Sequence, residues 1–94
     1  MQKPTEQIMA WIATLSPADE LAVRMALRLS NPWCREDRAW QLRIAALEAQ
    51  FIRCDADRRR YDERAAKIAR DMEGAVQEMK AQAGMPAAAP SVPA

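Results

Sequence analysis

From Trp40 to Met79 apolar positions recur at alternating spacings of three and four: Trp40, Ile44, Leu47, Phe51, Cys54, Arg58, Tyr61, Ala65, Ile68, Met72, Ala75 and Met79. Arg58 is the single charged member, no proline interrupts the run, and its one glycine, Gly74, takes an outward position. A repeat of about 3.5 residues sustained this far predicts a helix that lies along other helices, here one continuous helix over 33–82. At about 1.5 Å of rise per residue it is roughly 70 Å long, more than a small domain covers by itself.

Two shorter helices precede it. Ile8, Trp11, Ile12 and Leu15 make one apolar side of a helix over 4–15, with Pro4 suited to its first turn. Ser16-Pro17-Ala18-Asp19 then reads as a stop and a new start. Ser16 caps, Pro17 gives up an N–H the first turn does not need, and Asp19 and Glu20 sit at the positive end. The second helix, 17–30, buries Leu21, Ala22, Met25, Ala26 and Leu29, and Val23 and Leu27 widen that stripe enough to demand contact on two sides. Ser30-Asn31-Pro32 closes it, and Asn31 is placed to cap the long helix. Asp55-Ala56-Asp57 invites a break, but the heptad keeps its phase there without glycine or proline, so the helix is expected to continue. After Gly84 the chain is a Pro/Ala tail, expected to be disordered over 84–94.

The expected architecture is all-α: two short N-terminal helices packed on one long C-terminal helix, in a single helical domain over 1–83. The first half of the long helix carries a second line, Leu42, Ala45, Ala49, Ile52 and Ala56, open to close approach by a neighbour. The seam Ile44, Leu47, Phe51, Cys54, Arg58, Tyr61, Ala65, Ile68, Met72 and Met79 is expected to be covered by a second copy in an intermolecular helical bundle. A parallel pair stacks Arg58 on Arg58. An antiparallel pair sets Arg58 against Tyr61, a cation–π contact, and matches Ile44 with Ala75 and Cys54 with Ala65. The antiparallel homodimer is therefore favoured.

Composition narrows the function. Basic and acidic residues number 14 and 13, a net charge of +1 that supplies no field to gather nucleic acid or an anionic membrane. Histidine is absent, which removes the commonest general base and zinc ligand, and two separated cysteines, Cys34 and Cys54, build no metal site. Two glycines allow no phosphate-cradling loop, so no cofactor is expected. Cys54 reads as a small core residue, and isolated thiols suit a reducing cytoplasm. The carboxylates Asp55, Asp57, Asp62 and Glu63 alternate with arginines and read as a solvated face.

Two groups qualify as partner-binding candidates. Arg59, Arg60 and Arg64, with Arg53, Arg58 and Lys67 around Tyr61, make a basic segment able to grip phosphate, although Asp55, Asp57, Asp62, Glu63 and Asp71 nearly cancel it. Trp11 and Trp33 are the aromatic anchors for a protein target if either is exposed, and Trp40 belongs to the core. The leading expectation is a non-enzymatic helical interaction module that pairs with its own copy and with a protein target. It would work by occupancy, as an adaptor, regulator or inhibitor of the kind phages and mobile elements carry. Nucleic-acid or nucleotide binding through the segment from Arg53 to Lys67 is the alternative, and a structural assembly component the third reading.

Overall fold

The computed structural model describes residues 3–83, with side chains as far as Met72, and contains five α-helices there. The expected tail 84–94 lies outside the described residues, as does the side chain of Met79. The helices are α1 (Glu6–Ala13), α2 (Pro17–Ser30), α3 (Pro32–Glu36), α4 (Arg38–Phe51) and α5 (Asp55–Ala83). All-α architecture is as the pattern predicted. The described part measures 54 × 25 × 23 Å.

Local chemistry sets the helix starts. Thr5 Oγ1 accepts the Ile8 N–H at 3.2 Å and opens α1. Ser16 Oγ accepts the Asp19 N–H at 3.3 Å with Pro17 behind it, and Asn31 Oδ1 accepts the Trp33 N–H at 2.9 Å. Each side-chain oxygen satisfies a donor that the first turn leaves without a helical partner. α1 stops at Ala13, two residues short of its expected end, because the Thr14 hydroxyl turns back onto the Trp11 carbonyl at 2.6 Å.

The continuous helix over 33–82 is corrected: the chain breaks at Asp37 and again at 52–54. At the first break the Asp37 carboxylate accepts the Trp40 N–H at 2.9 Å, offering the backbone a cap where the helix would have run on. At the second, Ile52 takes an extended conformation (φ −111°, ψ 101°), and Asp57 accepts the Arg53 N–H at 3.1 Å as α5 begins. Such caps are worth only about 1 kcal/mol each. The larger gain is tertiary, since bending lets both halves of the stripe lie on α2.

Helix α2 is the centre of the molecule and touches all four others, α5 most extensively. Leu21, Ala22, Val23, Met25, Ala26 and Leu27 are buried around most of its circumference, as the wide stripe predicted. Ile12, Cys34, Trp40, Ile44, Leu47 and Ala65 close the core from the other helices. Ala22, Ala26 and Ala65 are almost wholly enclosed, and their small side chains let helix surfaces approach closely. The second line expected on the long helix is instead mostly outward. Leu42 is 60% exposed, Ala45, Ala49 and Ala56 are exposed, and only Ile52 is half-buried. The short helices therefore use the Trp40–Ile44–Leu47 side of α4.

Candidate interaction surface

The arginine segment lies on the first four turns of α5, apart from Arg53 in the joint before it, and its heads are largely engaged within the chain. Arg58 reaches Glu48 of α4 at 2.7 Å, Arg60 pairs with Asp57, and Arg64 crosses to Asp19 of α2. The Arg64 guanidinium, followed by the Ser16 hydroxyl, holds the Asp19 carboxyl below its usual range. Lys67 pairs with Asp71 at 3.0 Å. Arg53 and Arg59 are exposed. Between α4 and α5 a hollow of about 310 Å³ is lined by Phe51, Arg60, Tyr61 and Arg64, with the two rings tilted at 49° and 6.5 Å apart. The fold thus gathers Arg60 and Arg64 beside Tyr61, but with a carboxylate already on each.

The residues of the expected self-pairing seam meet a different fate. Ile44, Leu47 and Ala65 are buried in the chain's own core, and Phe51, Tyr61, Ile68 and Met72 pack half-buried against it. Arg58 faces Glu48, and Cys54 is exposed in the joint between α4 and α5. The antiparallel register that set Arg58 on Tyr61 and Cys54 on Ala65 of a second copy needed an unbroken helix and an uncovered Ala65. Neither is present. The apolar stripe marks burial correctly except at Cys54 and Arg58, which the break at 52–54 turns outward, so Cys54 is not the core residue expected; the cover elsewhere comes from α2.

Of the three tryptophans, Trp40 is enclosed, Trp33 half-buried and Trp11 45% exposed. Trp33 meets the edge of Trp40 at 6.3 Å, and the Trp40 indole N–H donates to the Arg24 carbonyl at 3.2 Å. The Arg24 guanidinium stands 4.5 Å from the Trp40 ring, and Lys3 stands 5.9 Å from Trp33. These rings border a shallow hollow of about 430 Å³ whose cations Arg24 and Arg43 are both paired with Glu20. Trp33 is thus mainly structural, while Trp11 keeps a free apolar side.

A more enclosed, apolar groove lies between α2 and α5, about 220 Å³, bordered by Met25, Arg28, Leu29, Asp62, Ala65 and Ala66. Leu29 stands 54% exposed on its lip, and Gln41 ties back Arg28 at 3.3 Å. The groove's α5 side continues through Ala69 and Met72 at spacings of three and four, both half-buried. α5 is 29 residues long and α2 only 14, a difference in length of roughly 20 Å. The sequence pattern had placed Leu29 inside. Its position in the last turn of α2, beside Ser30-Asn31-Pro32, was the available sign that the stripe runs out of neighbours there.

Among the described residues there is no group of three or more potential metal ligands, and no helix is long and apolar enough to cross a membrane. No family model, curated protein or solved structure matches the chain.

The two thiols differ sharply in environment. Cys34 is fully enclosed, and burial, then the Asp37 charge, pushes its thiol up to about 11. Cys54 is exposed. A maleimide or disulfide reagent is therefore expected to modify Cys54 rapidly in the native protein and Cys34 only on the timescale of unfolding. Equal labelling rates under native conditions, followed by mass spectrometry, would contradict the burial of α3 against α2.

Proposed function

We propose that this chain is a non-enzymatic protein–protein interaction module that acts by occupying a partner's surface, as an adaptor, regulator or inhibitor. The observation that carries this reading is the apolar groove between α2 and α5 with Leu29 exposed on its lip. An amphipathic helix of a partner protein suits this shape: its apolar side chains at spacings of three and four would enter the groove, flanked by Arg28 and Asp62. The C-terminal part of α5, where the sequence continues the stripe with Val76 and Met79, is the element we assign to self-association.

Leu29→Glu tests the reading, because it adds a charge to an exposed position without touching the core. A partner recovered with the wild-type chain is expected to be lost with this variant while helix content and melting temperature stay unchanged. The loss corresponds to about 2 kcal/mol or more of binding energy at a buried anchor. Unchanged binding by a folded Leu29→Glu protein would rule the groove out.

The arginine segment supports a weaker reading, nucleic-acid binding, because Asp57, Asp19 and Glu48 already occupy Arg60, Arg64 and Arg58. Changing Arg59 and Arg60 to alanine is expected to alter stability by less than about 0.5 kcal/mol, as for exposed side chains generally. Partner binding is expected to persist in that variant. Association with single-stranded nucleic acid that weakens steeply with salt, and disappears in the variant, would put the phosphate reading first.

A further inference from the structure

The joint between α4 and α5 is Ile52-Arg53-Cys54, with neither glycine nor proline. Nothing in those three residues requires a bend. What holds the chain bent is a set of side-chain contacts: Asp57 accepts the Arg53 N–H at 3.1 Å, Arg58 reaches Glu48 at 2.7 Å, and Phe51 lies against Tyr61. In a straight helix Glu48 and Arg58 would be about 15 Å apart along the axis, and the Arg53 N–H would bond to the Ala49 carbonyl instead. The apolar spacing keeps its phase through the joint. The straight form therefore keeps Ile44, Leu47, Phe51, Tyr61, Ala65 and Ile68 on one side.

Straightening carries α5 off its own α2 and uncovers the most extensive helix contact in the molecule. The surface complementary to that face of α2, down to the carboxylate of Asp19 awaiting Arg64, is α5 of another copy. We infer that the chain exchanges α5 between two copies. In the exchanged dimer α4 and α5 form one helix over 38–83, and each α5 packs on the α2 of its partner. Every α2–α5 contact is kept, now between chains. The free-energy difference from two bent monomers thus reduces to the two joints and the entropy of association. The inference deepens, and rests on, the self-association proposed above.

The test uses the full chain with Cys54→Ser, Leu29→Cys and Ala66→Cys, leaving enclosed Cys34 in place. Leu29 and Ala66 border the same groove, so a short bis-maleimide joins α2 to α5 wherever they pack. Monomer and dimer fractions are separated by size, reacted, and run on a denaturing gel. The monomer is expected to give single chains linked internally, and the dimer to give two chains linked to each other. Asp57→Ala removes the cap on the bent form at both joints, and its dimer association constant is expected to rise roughly thirtyfold. Inserting Gly-Gly-Ser after Arg53 spares the bent form, breaks the straight helix, and is expected to abolish the exchanged dimer. A dimer whose links all stay within single chains would overturn exchange while leaving self-association standing. A protein that stays monomeric at millimolar concentration, with and without Asp57→Ala, would overturn both.

Discussion

Trp40→Ala is expected to remove roughly half of the protein's stability and to lower its urea midpoint accordingly. Trp40 is only 2% exposed, stacks under Arg24, meets Trp33 at its edge, and donates its indole N–H to the Arg24 carbonyl. Truncating such a residue costs about 3–5 kcal/mol in lost burial and residual cavity. A chain of this size has only about 5–10 kcal/mol in total. Urea unfolding followed by circular dichroism is the measurement, and a midpoint within experimental error of wild type would contradict the packing of α4 on α2. Trp40→Phe separates the two contributions. It keeps most of the ring volume but removes the indole hydrogen bond to the Arg24 carbonyl, which retains its place in the helical ladder of α2, and is expected to cost about 1 kcal/mol.

Glu20→Ala is the second large effect. Glu20 is the one buried charged residue among those described, and it accepts from Arg24 at 2.7 Å and from Arg43 at 2.8 and 2.9 Å. Removing it leaves the poorly exposed Arg24 without its carboxylate, at an expected cost of about 2 kcal/mol. Arg43→Ala is expected to cost less, because its side chain is 48% exposed. The pair also has a pH signature. The Arg43 hydrogen bonds, outweighing desolvation and aided by Arg24, hold the Glu20 carboxyl below its ordinary value of 4.5. The lowered folded-state value means the unfolded chain binds the proton more readily. The contribution is therefore fully present above that ordinary value and is lost as pH falls through the folded one. Stability of the wild type is expected to decline more steeply on acidification than that of Glu20→Gln. Parallel acid titrations of the two would argue against the triad.

The range of each interaction decided whether the sequence revealed it or hid it. The bounds of α2 are as expected because Ser16-Pro17 and Ser30-Asn31-Pro32 act within one turn of the chain. The joint at 52–54 was not legible. A stripe of period 3.5 says which side of a helix is buried, and both a straight helix under another copy and a bent one under α2 satisfy it. Asp37 and Asp57 can each serve as a cap or as a surface residue, and only the tertiary gain at Leu47, Tyr61 and Ala65 decides between these roles. For the same reason the arginine segment looked more available than it is. Asp19 and Glu48, which occupy Arg64 and Arg58, are 45 and 10 residues away along the chain.

That same distance shapes how the molecule is made. α2 meets α3 and α4 within the next twenty or so residues, but its most extensive contact, with α5, waits for a segment some forty residues downstream. At roughly 5–20 residues per second of synthesis, the α5-facing side of α2 stays open to water for a period on the order of seconds. Closing that long loop is also the slowest search in a fold whose other contacts are local. Two chains growing side by side on one message therefore present each other with an unfilled α2 at the time when each new α5 first appears.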